Sequence, residues 1–131
     1  MNSRTPSIVL VDDDVRLLES LEDLFESAGY AVRTFSSARS LLDAGLAGID
    51  CLIADIGMPG MDGFQLHEAV KKQRPELPVI LITGRHEIAD QQRASAKNIT
   101  GFFRKPFDGP TLLTAVSNAL GDGSGTDGKN G

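Results

Sequence analysis

The sequence is poor in the residues that would mark several common classes of protein. Among its 131 residues there are one cysteine, one tyrosine and no tryptophan. A single cysteine leaves no disulfide framework, so the fold must be stable without such staples. Cys51 lies in the apolar run 51–54. We interpret it as a small buried hydrophobic residue rather than a reactive thiol.

Long hydrophobic runs and basic clusters are also missing. No apolar stretch approaches the roughly 20 residues that span a bilayer, and residues 1–6 contain no apolar signal region. We therefore expect a cytoplasmic chain without membrane contact. The net charge is −5 and no segment gathers Lys and Arg. Direct binding to nucleic acid is thus not expected.

The composition that remains is that of an ordinary globular domain. Hydrophobic residues make up 40% and charged residues 24% of the chain, whose length suits one domain. Residues 1–6 are predicted to be a disordered arm, residues 7–120 the folded domain and residues 121–131 a flexible, glycine-rich tail or linker.

Apolar patterning predicts strands and helices that alternate along the chain. Runs that predict strands occupy residues 8–11, 51–54, 79–82 and 99–103, and a weaker alternating run at 31–35 suits an edge strand. A segment with helical periodicity follows each of these runs. The first predicted helix ends at Gly29, and four further helices are predicted at 38–44, 64–73, 88–97 and 111–120. Five such alternations predict an α/β fold with a doubly wound, five-stranded parallel sheet.

Polar residues follow four of the predicted strands at their carboxyl ends, where ligands collect in open α/β sheets. They are Asp12, Asp13 and Asp14 after the first strand, Asp55 after the third, Thr83 after the fourth and Lys105 after the fifth. Converging carboxylates repel one another unless a cation lies between them. Because the donors are oxygens, we expect Mg²⁺ as the cofactor.

A carboxylate beside Mg²⁺, with a lysine and a hydroxyl nearby, has the groups needed to accept a phosphoryl group. In this interpretation Asp55 is the nucleophile and becomes an aspartyl phosphate. Asp13 binds the metal directly, Asp12 binds it directly or through water, and the Gly57 carbonyl completes the protein ligands. Thr83 and Lys105 hold the phosphoryl oxygens.

These segments together resemble the receiver domains (CheY-like) of bacterial two-component response regulators. The resemblance covers about residues 7–120 and rests on Val11-Asp12-Asp13, the loop from Asp55 to Gly63, Ile82-Thr83-Gly84 and Lys105-Pro106-Phe107. It implies a flavodoxin-like (βα)5 sheet of order 2-1-3-4-5. It also implies phosphorelay from a histidine kinase or histidine phosphotransferase, and signalling through the face formed by the helix predicted at 88–97, the strand at 99–103 and the helix at 111–120.

The resemblance also implies a switch and some departures from the usual pattern. Phe102, three residues before Lys105, takes the place of the aromatic that turns inward when Thr83 moves toward the phosphoryl group. Gly57 replaces a larger side chain, which leaves the phosphoryl group more open to water. Receivers that form homodimers through the signalling face often pair charges there, whereas residues 111–120 carry none, so only a weak homodimer is expected.

Several alternatives stay open at this point. The chain could be the receiver part of a DNA-binding transcription regulator whose output domain follows the tail, or a receiver-like scaffold that is never phosphorylated. A flavodoxin-like redox protein would need a hydroxyl-rich first loop, and a haloacid-type phosphatase would need an acid at Gly57. We therefore do not expect an enzyme that turns over an external substrate.

Simple structural roles are expected for the remaining polar residues. Asp14 is predicted to cap the first helix rather than to bind metal. His67 and His86 have no second ligand at metal-binding spacing and are expected to be solvated.

Overall fold

The computed structural model describes residues 5–84, 92–93 and 99–121. The strands are β1 (Ser7–Val11), β2 (Ala31–Phe35), β3 (Cys51–Asp55), β4 (Val79–Thr83) and β5 (Gly101–Arg104). The helices with described bounds are α1 (Val15–Ser27), α2 (Ala38–Ala44), α3 (Gly63–Gln73) and α4 (Gly109–Ala119). The predicted helix 88–97 lies outside the described residues except for Gln92 and Arg93, which are helical.

The five strands form one parallel sheet in the order β2-β1-β3-β4-β5. This confirms the predicted α/β fold and its strand order, with β2 at an edge. Since β3 and β4 are buried along their whole length, their apolar sequences suit strands covered on both faces. The parallel register brings the carboxyl ends of the inner strands to one edge, with Asp55 opposite Ile82.

Side chains that alternate along the strands divide the core into two layers. One face of the sheet packs against α2 and α3, chiefly through Leu41, Phe64 and Val70. The opposite face packs against α1 and α4, where Phe25 and Leu112 are fully buried. A doubly wound arrangement therefore leaves only the ends of the strands open to ligands.

Aspartate caps fix where three of the helices begin. Asp14 accepts hydrogen bonds from the backbone N–H groups of Arg16 and Leu17, which confirms its predicted capping role. Asp62 caps α3, and Asp108 caps α4. Helix α4 begins two residues before the predicted start because this cap precedes Gly109 and Pro110, and proline is favourable in a first helical turn.

The predicted terminal segments lie mostly outside the described residues. Within the described part, the Pro6 carbonyl accepts a hydrogen bond from Ala31, and Gly121 donates one to Asn118. None of the helices in residues 5–84, 92–93 and 99–121 has the length and apolar content to cross a membrane.

Candidate functional site

Three carboxylates meet at the carboxyl end of the sheet. Asp12 and Asp13 follow β1, and Asp55 ends β3; one ligand oxygen from each lies within 4.8 Å of the others. Asp12 and Asp55 are only 1% and 5% exposed, whereas Asp13 is exposed to solvent. Two buried acids beside a solvent-facing acid therefore form a small pocket of oxygen donors with one open side.

Lys105 reaches this pocket from the end of β5. Its Nζ donates a hydrogen bond of 3.0 Å to Asp12 Oδ2 and lies 3.5 Å from Asp55 Oδ1. The Lys105 backbone N–H donates to the Thr83 carbonyl at 2.7 Å, which fixes the start of the loop that carries the side chain. The lysine predicted at this rim is thus in contact with two of the predicted acids.

Burial and mutual repulsion disfavour the ionised forms of the two buried acids. Burial raises the pKa of Asp12 above its ordinary value, although the Asp14 N–H and Lys105 partly oppose this. Burial also raises the pKa of Asp55, and the charge of Asp12 adds to the effect. Burial alone would lower the pKa of Lys105, but its hydrogen bond to Asp12 and the charges of Asp12 and Asp55 raise it. Lys105 therefore offsets only part of the cost of burying the two charged acids.

The donor set fits a hard divalent cation. Asp12, Asp13 and Asp55 offer oxygen atoms only, as Mg²⁺ prefers. The buried pair also needs more positive charge than Lys105 brings. Gly57 lies beside the pocket, because its backbone N–H bonds the Asp55 carboxylate and a Cβ built on it would lie 3.8 Å from Asp55 Oδ2. The role of its carbonyl as a metal ligand stays a prediction.

The predicted switch residues lie on neighbouring strands. Thr83 is fully buried at the end of β4. Phe102 in β5 pairs with Leu81 in register, and its half-buried ring packs on the core layer of α2 and α3. Because side chains alternate along a strand, Thr83 and Leu81 point to this same face. The two predicted switch residues therefore border the same core layer, and their role as a switch stays a prediction.

Two features differ from or add to the sequence interpretation. His67 is 5% exposed, so the expectation that it is solvated is wrong. It follows Phe64 by one helical turn and lies on the buried side of α3.

Gly63, which carries no reactive group, abuts the Asp55 backbone. In the sequence it appeared only as the last residue of the loop on which the resemblance rests, because a close approach between backbones has no sequence signature of its own. His86 lies outside the described residues.

The fold agrees with the comparisons to known proteins. The family model for the response regulator receiver domain matches residues 8–117. The transcriptional regulatory protein FixJ of Bradyrhizobium diazoefficiens is 33% identical over 115 residues, which are 86% of this chain and 56% of FixJ. The response regulator protein TmoT of Ectopseudomonas mendocina is 37% identical over 121 residues, which are 92% of this chain and 55% of TmoT.

Solved structures show the same likeness. A CheY-like response regulator receiver domain protein from Methanospirillum hungatei superposes with a TM-score of 0.84 at 26% identity, covering 91% of this chain and 96% of that one. A receiver domain protein from Clostridium thermocellum gives a TM-score of 0.81 at 28% identity, covering 88% and 94%.

The chain belongs to the response regulator receiver family. It is a receiver domain of two-component signal transduction. The chain spans about half the length of FixJ and TmoT.

Proposed function

We propose that this receiver is a phosphoacceptor switch in which Asp55 takes a phosphoryl group from a histidine kinase or a histidine phosphotransferase. Mg²⁺ would be held by Asp12, Asp13, Asp55 and the Gly57 carbonyl. The observation that carries the proposal is the contact of Lys105 with both Asp12 and Asp55 in a pocket of buried acids.

The hydrogen bonds of the pocket favour Asp55 over Asp12 as the nucleophile. One oxygen of Asp12 accepts from the Asp14 N–H at 2.9 Å, and the other accepts from Lys105 at 3.0 Å. Both Asp12 oxygens are therefore engaged in holding the pocket together. Asp55 also accepts a hydrogen bond from the Gly57 N–H, but Lys105 lies farther from it, at 3.5 Å, so Lys105 holds the Asp55 carboxylate less tightly than that of Asp12. Asp13 is exposed and lacks the shielded position that favours attack on phosphorus.

The transfer balances as a simple displacement. An Asp55 oxygen forms a bond to the phosphorus of a phosphohistidine, and the bond from phosphorus to the imidazole nitrogen breaks. The imidazole leaves with the electron pair of that bond. Lys105 donates to an equatorial phosphoryl oxygen and stabilises its charge, while Asp12 holds the lysine nearby. Mg²⁺ when bound supplies further neutralisation of the phosphoryl charge.

Phosphorylation adds about 1.5 to 2 negative charges at the end of β3. The Thr83 hydroxyl is suited to donate to a phosphoryl oxygen, and its movement would open space for the Phe102 ring. The signal would then leave through the face that contains β5 and α4 together with the helix predicted at 88–97. We expect a protein partner or an output domain to bind at this face. The chain's own chemistry would be limited to self-phosphorylation and autodephosphorylation. Both would take place in the cytoplasm.

The switch could pass its signal to an output in either of two ways, and both are proposals. FixJ is named a transcriptional regulatory protein, and this chain matches about half of it. One form is therefore a receiver joined to a DNA-binding output domain; the other is a receiver that acts on a separate protein. In both forms residues 7–120 would make no direct contact with nucleic acid.

Intact-mass spectrometry after incubation with acetyl phosphate tests the proposal. The wild type should gain the mass of one phosphoryl group in Mg²⁺ and not in EDTA, and Asp55→Asn should gain none. Asp13→Asn should be labelled more slowly and need more Mg²⁺. Equal labelling of the wild type and Asp55→Asn, independent of Mg²⁺, would refute it.

A further inference from the structure

Gly63 at the start of α3 lies unusually close to the backbone of the proposed phosphoacceptor. A Cβ built on Gly63 would lie 2.7 Å from the Asp55 carbonyl oxygen, 2.9 Å from Ile56 Cα and 3.1 Å from the Asp55 carbonyl carbon. All three are backbone atoms, which cannot yield by a change of rotamer. Gly63 is not among the glycines with positive φ. The position therefore requires glycine for space and not for backbone conformation.

Hydrogen bonds hold this contact from both sides. The Gly63 N–H donates to the Ile56 carbonyl at 3.1 Å, and the Ile56 N–H donates to the Ile82 carbonyl at 2.8 Å. The peptide after Asp55 is thus held between β4 and the first turn of α3. The loop 57–62, which contains the Gly57 carbonyl, is closed at its base by the same contact.

The first turn of α3 is itself fixed by a capping box. Asp62 Oδ1 accepts from the Gln65 N–H at 2.9 Å, and Gln65 Oε1 accepts from the Asp62 N–H at 2.9 Å. The helix therefore presents Gly63 to the acceptor backbone in one position. The other glycines of this loop do not make such a contact, since a Cβ on Gly57 would lie 3.8 Å from its nearest atom and one on Gly60 would meet nothing within 4 Å.

We infer that Gly63 is a positioning residue: it lets α3 begin directly against the Asp55 peptide, and so holds the acceptor carboxylate and the Gly57 carbonyl in the geometry that binds Mg²⁺. This inference rests on the proposed function. An alanine at this place would have to move the Asp55 peptide or the helix by about 0.7 Å to reach ordinary contact. A displacement of about 1 Å in a reacting group can cost on the order of 100-fold in rate.

The test compares Gly63→Ala with Gly109→Ala. Gly109 is also the first residue of a helix with an aspartate cap, but a Cβ there would meet the tip of the Leu24 side chain at 3.1 Å, which can turn away. Mg²⁺ binding is measured by calorimetry without phosphodonor, well below the unfolding midpoint of each protein. Labelling by acetyl phosphate is measured in parallel.

For Gly63→Ala we expect the dissociation constant for Mg²⁺ to rise at least about 5-fold and the labelling rate to fall at least about 10-fold. For Gly109→Ala we expect both to stay within about 2-fold of the wild type, because Leu24 can adjust. Wild-type values for a folded Gly63→Ala would overturn the inference and leave the proposed function intact. A wild type that neither binds Mg²⁺ nor accepts a phosphoryl group would instead refute the proposed function.

Should Gly63→Ala fail to fold, Gln65→Ala decides the question. Gln65 is exposed, and its replacement removes the hydrogen bond from the Asp62 N–H to Gln65 Oε1 without adding an atom near Asp55. The loosened first turn should then weaken Mg²⁺ binding by about 2-fold or more while the chain stays folded. An unchanged dissociation constant would overturn the inference.

Discussion

Replacing Asp55 with asparagine should stabilise the metal-free protein at neutral pH, even though it removes the proposed phosphoacceptor. The Asp55 side chain is 7% exposed and that of Asp12 is 2% exposed. One oxygen of each carboxylate lies within 4.8 Å of the other, so at an effective dielectric constant of about 20 the two repel by at least about 3.5 kcal/mol. Lys105, at 3.5 Å from Asp55, attracts it by about 4.7 kcal/mol.

These two interactions are similar in size and opposite in sign. The cost of burying the Asp55 charge therefore decides whether Asp55→Asn raises or lowers the free energy of unfolding. Asparagine keeps an oxygen for Lys105 but carries no charge to desolvate, and Lys105 keeps its contact with Asp12. We therefore expect Asp55→Asn to raise the free energy of unfolding by about 1 to 2 kcal/mol in EDTA at pH 7. In urea this corresponds to a shift of about 1 M in the midpoint.

The same argument fixes the direction of the pH dependence. The folded pKa of Asp55 is raised above its ordinary value of 3.8. Stability that is present below about pH 3.8 is therefore lost as the pH rises through the folded pKa. Asp55→Asn does not suffer this loss, so its advantage should be small near pH 4 and larger at pH 7. Mg²⁺ at ten times its dissociation constant should return about 1.4 kcal/mol to the wild type.

Urea unfolding at pH 4 and pH 7, with EDTA and with Mg²⁺, provides the assay. Asp13→Asn is the matched control, because Asp13 is exposed and its loss should change stability in EDTA by less than about 0.5 kcal/mol. If Asp55→Asn were less stable than the wild type in EDTA at pH 7, or gave the same difference at both pH values, the reasoning would be refuted.

Two further predictions concern residues on either side of the pocket. Thr83→Ala should still be phosphorylated, but the phosphorylation-dependent amide shift of Phe102 in NMR spectra should shrink by at least about half, because the variant lacks the hydroxyl proposed to couple the phosphoryl group to Phe102. An undiminished shift would contradict the proposed switch. Cys51 is fully buried, and burial raises the pKa of its thiol to about 12. Its reaction with a thiol reagent should therefore follow global unfolding, whereas rapid labelling of the native protein would contradict its place in the core.

Local patterns in the sequence were sufficient for the fold because they agree with one another. The inner strands are apolar throughout, as strands covered on both faces must be, and Asp14 precedes α1 where an N-cap is needed. The bounds of α4 were less accurate. The helix begins after the Asp108 cap, with Pro110 in its first turn. Both residues precede the apolar residues from which the helix was predicted, so the predicted start was too late.

The membership of the pocket could be predicted, but its internal contacts could not. Parallel strands bring their carboxyl ends together, so Asp12, Asp55 and Lys105 had to meet at one edge. Whether Lys105 lies nearer Asp12 or Asp55 depends on side-chain rotamers and on the Asp14 N–H, which no spacing rule gives. The burial of His67 was missed because the expectation rested on metal-ligand spacing, whereas its place one turn after Phe64 and one turn before Val70 puts it on the apolar face of α3.

The most direct test of the account is to locate the phosphoryl group itself. The protein is labelled with acetyl phosphate and Mg²⁺, the acyl phosphate is reduced with borohydride, and the modified residue is identified by tandem mass spectrometry. The account predicts reduction at Asp55, at no other acid, and none in EDTA. Modification at Asp12 or Asp13 in the wild type, or at Asp55 without Mg²⁺, would contradict it.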